Sequence, residues 1–160
     1  MEQLMQAFLE ILKRAGFTAV RQMPQGVMPR LKGPVVAVSL AALDAAQMGF
    51  FEYLGKLERE GNIVPLYGKR LRAEVLLQVV SPEALGAERC AQEADKLCTK
   101  LSEKLPGIVL TGFSAGPCSY DKTGDFFLCE VKAKASAYLY AEANEEETEF
   151  TDFILKGAVQ

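Results

Sequence analysis

From Phe127 onward the chain settles into apolar or small side chains alternating with polar ones as far as Glu142. Cys129, Val131, Ala133, Ala135, Ala137, Leu139 and Ala141 fall on one side, and Glu130, Lys132, Lys134, Ser136, Tyr138, Tyr140 and Glu142 on the other. Successive side chains of an extended backbone point to opposite faces, so this period of two predicts a strand with one buried and one wet face. About fifteen residues at ~3.3 Å each would extend about 50 Å, whereas strands in globular proteins usually run about three to ten residues. The chain must fold around a sheet, and part of this strand is expected to project toward another subunit.

Arg70 to Val80 repeats the pattern, with Leu71, Ala73, Val75, Leu77 and Val79 opposed to Arg70, Arg72, Glu74 and Gln78. Val35 to Leu43, Phe17 to Met23, Ile108 to Phe113 and Phe150 to Leu155 also read as strands from their β-branched and aromatic content. Two helices are expected. In Met1 to Ala15 apolar residues recur at three- and four-residue steps, ending at Gly16; the second opens at Ser81-Pro82-Glu83, with Ser81 as cap, and carries Cys90, Ala94, Leu97, Leu101 and Leu105 to a stop at Pro106-Gly107. Pro24 to Pro34 reads as an exposed loop, Gly49 to Pro65 as a weakly patterned excursion, and Asn144 to Glu147 as an acidic hairpin turn. Residues 1–160 thus read as one α+β domain: a mostly antiparallel sheet with two helices packed on one face, one β-α-β crossover from Arg70 through the second helix to Ile108, and a long C-terminal hairpin.

Composition excludes much chemistry. The 160 residues contain no histidine, which removes imidazole bases, Ser-His-Asp and Cys-His pairs and histidine metal sites. With 18 Lys and Arg against 21 Asp and Glu, the net charge of -3 gives no electrostatic basis for specific nucleic-acid binding. No apolar run approaches the roughly 20 residues of a membrane span. Met1-Glu2-Gln3-Leu4 lacks the basic start of a secretory signal, and the four cysteines show no paired spacing, so a cytoplasmic protein with free thiols is expected.

The remaining candidates for chemistry each have a plainer reading. Cys90, Cys98 and Cys129 lie on apolar faces and read as core; Cys118, after Gly116-Pro117, is the one expected to be exposed, but no base accompanies it. Asp121-Lys122-Thr123-Gly124-Asp125 has the residues of a cation loop and equally those of a turn; Glu145-Glu146-Glu147 lacks calcium-loop spacing. No metal or cofactor site is expected. Tyrosines on a wet strand face, Tyr138 and Tyr140, are an interface signal, because Tyr combines apolar area with a hydroxyl; they serve equally to cover a neighbouring strand.

Leu66-Tyr67-Gly68-Lys69 leading into an alternating strand, Ser81-Pro82 opening a helix with Cys90, and Phe150-x-Asp152-Phe153-x-x-Lys156-Gly157 resemble tail-terminator or tail-completion proteins from prophages of Gram-positive bacteria. The likeness covers most of the chain after Val35. It implies a non-catalytic virion protein, assembled in the bacterial cytoplasm, that forms a homo-oligomeric ring, usually hexameric, on the tail tube and presents a docking surface to the neck. Its implied partners are further copies of itself, a tail tube protein and a neck or head-completion protein, with no specific nucleic-acid binding and no membrane. Tyr138, Tyr140, Tyr67, Lys69, Arg70 and Phe153 are the expected subunit-interface residues. A neck or head-tail joining protein is the alternative within phage structure. A small ligand-binding domain or enzyme using Asp121, Asp125 or Cys118 is the alternative outside it.

Overall fold

Helix α1, Glu2–Arg14, buries Leu4, Met5, Phe8, Leu9 and Leu12 along one stripe. It stops at Gly16, whose φ of +89° suits a residue without Cβ, while the Phe17 N–H donates to the Leu12 carbonyl at 3.0 Å. These features come from a computed structural model, which describes residues 2–23, 31–47, 53–59, 61–105, 108–142 and 154–156.

The remaining elements are β1 (Ala19–Arg21), β2 (Val35–Gln47), β3 (Tyr53–Arg59), β4 (Asn62–Pro82), a 3-10 turn (Glu83–Leu85), α2 (Gly86–Leu101), β5 (Val109–Ala115), β6 (Ser119–Asp121), β7 (Phe126–Glu142) and β8 (Ile154–Lys156). The strands form one sheet in the order β1-β2-β4-β7-β5. β4 and β7 are its spine, antiparallel from Leu66↔Glu142 to Pro82↔Phe126 without a register shift. β2 and β3 share the other side of β4, and β6, β5 and β8 lie end to end along the other side of β7. All these pairs are antiparallel; β1 alone runs parallel to its neighbour β2. The architecture is the expected α+β type, a mostly antiparallel sheet with two helices.

One apolar cluster unites the layers. Val36 and Val38 of β2, Ala73 to Val79 at alternate positions of β4, and Cys129 to Ala135 at alternate positions of β7 face α1 and α2 together. Alanines at 133 and 135 leave room for a helix to lie close on the sheet. The sheet bulges at Ala41, between Leu40↔Val75 and Ala42↔Glu74, and this extra residue keeps both Leu40 and Leu43 turned toward the core.

Several expectations require correction. Gly49 to Pro65 is not an irregular excursion throughout: β3 and the start of β4 form a hairpin there, turning at Gly61 with φ +81°. Its pattern is weak because Tyr53, Glu58 and Ile63 are all exposed, so little burial selects an alternation. The alternating Arg70 to Val80 is only the middle of β4, and β2 runs on past Leu43 to Gln47. Ser81 and Pro82 end β4 instead of opening a helix; α2 starts at Gly86 after the 3-10 turn, with no side-chain cap. The Ser81 hydroxyl is buried and has no hydrogen-bond partner among the described residues. α2 ends at Leu101, although Leu105 remains buried. Cys118 to Tyr120, which the flanking Gly116-Pro117 and Asp121 to Asp125 mark as turn-rich in the sequence, instead leads into a short strand, β6, at Ser119–Asp121. The Asn144 to Glu147 turn, Phe153 and most of the Pro24 to Pro34 loop lie outside the described residues.

Candidate assembly surface

The face of the sheet turned away from the helices carries most of the polar residues of each alternation, together with the buried Val35, Ala37, Leu66 and Val80. By register Asp44, Arg72 and Ser136 form one row across β2, β4 and β7, and Ala42, Glu74 and Lys134 the next. These residues, with Arg70, border an open depression of 410 Å³. Arg70 is half-buried and its Nε donates to the buried Ser136 hydroxyl at 3.0 Å. Farther along, Gln78 donates to the Glu130 carboxylate at 3.0 Å. Arginine held in place by a short side chain is pre-organised for a carboxylate or a partner surface.

The six expected interface residues divide between the two faces. Arg70 and Tyr138 are register partners on the open face, and Tyr140, opposite Gly68, shares it by backbone position. Tyr67 and Lys69 fall at odd positions and face the helix side. Tyr67 there meets Tyr53 edge-on, with ring centroids 5.7 Å apart. The alternation in the sequence already encodes this division. The side chains of Tyr140 and all of Phe153 lie outside the described residues.

The sheet edges were not singled out in the sequence. β5, Val-Leu-Thr-Gly-Phe-Ser-Ala, carries no charge, and every residue but Leu110 is exposed, including Val109 and Phe113. It pairs with β7 on one side, and no described residue pairs with its other side. Across the sheet, β1 covers only Val36 to Val38 of β2, so Ser39 to Gln47 pairs with β4 alone among the described residues. The two open edges are level. The row through Leu43, Ala73, Ala135 and Leu110 reaches both. Tracing β2, β4, β7 and β5 shows that β2 and β5 run in opposite directions.

The residues considered for other chemistry are placed differently. Asp121 and Asp125 bracket the exposed β6–β7 turn, where the Asp121 carboxylate accepts from the Thr123 N–H at 2.8 Å. Asp125, at φ +57°, accepts a hydrogen bond from the Tyr120 hydroxyl. That bond favours the neutral phenol and pushes Tyr120 up to about 12. A second depression, of 350 Å³, lies where α2 passes Gly16 and Phe17 and is bordered by Glu93, Lys96 and Lys100. Neither depression is lined by Asp121, Asp125 or Cys118. Among the described residues no group of three or more His, Cys, Asp or Glu side chains is arranged to hold a metal ion, and no helix is long and apolar enough to cross a membrane. The chain matches no protein-family model and no curated protein.

Proposed function

We propose that this chain is a phage virion structural protein, a tail terminator that closes into a ring on the tail tube and offers its outer end to the neck. The observation that carries this reading is the reach of the sheet beyond its own core. The helix-covered cluster ends at the row of Ala73 and Ala135, yet β4 continues back to Asn62 and β7 forward to Glu142. At ~3.3 Å per residue that extension of β4 is roughly 35 Å long. Leu66, Leu71 and Ala137 are buried in this extension although they lie outside the helix-covered cluster; a solitary domain gains little from so long an extension, whereas a subunit that lends it to a neighbour gains an interface.

In this reading the level, oppositely directed edges of β2 and β5 join head to tail, which continues an antiparallel sheet from one subunit to the next and closes a ring if the rotation permits. β4, α2 and β5 form a right-handed β-α-β crossover that passes over β7, and β7 with β8 forms the long C-terminal hairpin that contacts the adjoining subunit. Arg70 and Tyr138 on the open face meet the tube or neck protein, and no residue has a catalytic task.

Native mass spectrometry of the purified protein and pull-down with assembled tails test the proposal together. A ring of several copies that co-sediments with tail tubes is expected. Phe113→Lys, which puts a charge on the open β5 edge, is expected to yield folded monomers by the same measurement and by circular dichroism. A wild-type chain that stays monomeric and never associates with tubes would overturn the reading; binding to portal complexes in place of tubes would make it a neck protein.

A further inference from the structure

Three of the four cysteines meet at one corner of the fold. Cys90, on the core face of α2, is 0% exposed, and its thiol donates to the carbonyls of Val79 at 3.5 Å and Phe127 at 3.6 Å. Cys129, on the inward face of β7, donates to the Gly116 carbonyl at 3.3 Å. Cys118, two residues beyond Gly116, reaches back over α2 to the Ala87 carbonyl at 3.7 Å. Ala87 and Cys90 are three residues apart on one helix, hence stacked on one face. The Cys118 thiol therefore lies over the turn of α2 that carries Cys90. The Gly116 N–H donates to the Glu130 carbonyl at 2.8 Å, which anchors the loop bearing Cys118 against β7. Cys98 is about two helical turns farther along α2.

We infer that Cys90 and Cys118 are a redox-active thiol pair, which closes a disulfide between α2 and the loop leading into β6 when the protein meets a small-molecule disulfide such as oxidised glutathione. Exposure assigns the order of events. Cys118 is half-buried and reachable, whereas Cys90 is sealed from solvent and reacts only with what Cys118 brings to it. The Cys118 thiol gives its proton to water and its thiolate attacks one sulfur of the reagent. The reagent's S–S bond breaks, and one glutathione leaves as thiolate. Cys90 then loses its proton and attacks the Cys118 sulfur of the mixed disulfide, forming the Cys90–Cys118 bond and expelling the second glutathione thiolate. The two leaving thiolates take up the two protons, so two protein thiols are oxidised and one disulfide is reduced to two thiols.

Burial pushes the Cys90 thiol up to about 12, which makes the second step the slow one and lets it quicken as pH rises. Cys129 does not compete at the first step, because it is buried and already bonded to the Gly116 carbonyl. The closed bond ties the β6 loop to the start of α2 and removes freedom from the unfolded chain.

The test is incubation of the full folded chain with oxidised glutathione, an acid quench, alkylation and peptide mapping by mass spectrometry. The expected product is a single intramolecular Cys90–Cys118 link, with Cys98 and Cys129 alkylated once the chain is unfolded, and a higher melting temperature for the oxidised protein. Cys118→Ser, at a half-buried position outside the core, is expected to leave Cys90 reduced under the same exposure. Cys90→Ala is expected to stop at a glutathione adduct on Cys118. Four free thiols after prolonged exposure, a link to Cys98 or Cys129, or Cys90 oxidation in folded Cys118→Ser protein would each overturn the inference.

Discussion

Leu77 is fully buried at the centre of the sheet, with Val38 and Val131 as its register neighbours. Leu77→Ala is expected to cost about 2–5 kcal/mol, measured by urea denaturation, since the surrounding strands cannot collapse into the space. Ser81 poses the reverse case. Its hydroxyl is buried without a partner among the described residues, and Ser81→Ala should be neutral or stabilise by about 1 kcal/mol, because an unsatisfied polar group is removed; a loss of stability in the same titration would show that the hydroxyl is bonded. Tyr120 supplies a pH dependence. Its folded-state ionisation is raised to about 12 from 10.0 by the hydrogen bond to Asp125. The folded chain holds this proton longer than the unfolded one, so the contribution is complete below pH 10 and disappears as pH rises through about 12. In an absorbance titration of the tyrosines, Asp125→Asn should bring Tyr120 back toward the usual range. At this scale the alternation in the sequence identified Leu77, Val79 and Cys129 as core, whereas the approach of Cys118 to Cys90 joins residues from separate elements and leaves no local signature.

Where β4 gives way to α2, local pattern and tertiary structure disagree. Ser81-Pro82-Glu83 has the residue types of a helix start, but the ladder with β7 continues through Ser81↔Phe127 and Pro82↔Phe126. Cross-strand pairing holds these residues extended, and the turn is deferred to Gly86, whose φ of +76° an L side chain adopts only with strain. Gly86→Ala is therefore expected to destabilise by about 1–3 kcal/mol in denaturant titration; an unchanged midpoint would show that the turn relaxes. The β3–β4 hairpin escaped the sequence pattern for a related reason. A strand whose residues are mostly outside the core has no buried face to impose a period of two. Strands over the core, by contrast, were legible because one-sided burial writes itself into the residue order.

One apolar cluster joins both helices to the centre of the sheet, and the sheet then runs on beyond the helices among the described residues. Two stability regimes follow within one chain. Amides in the Val75 to Val80 part of β4 should exchange only through global unfolding, whereas those of β3 and the Asn62 end of β4 should exchange through local opening in the isolated subunit. Hydrogen exchange followed by mass spectrometry measures this directly, and ring formation is expected to slow exchange at β5 and Ser39 to Gln47. Uniform protection in the monomer would mean that the extension needs no neighbour.

The sequence by itself determined the α+β class, the two faces of the spine strands and the histidine-free chemistry. All of these follow from side-chain identity and period, which are local properties. Only the tertiary structure decided which strands are neighbours, that β1 runs parallel to β2, that the edges of β2 and β5 are level, and that Cys118 lies over the turn of α2 that carries Cys90. Those depend on contacts between residues distant in the chain, which are selected by burial and ladder pairing and not by any spacing along it.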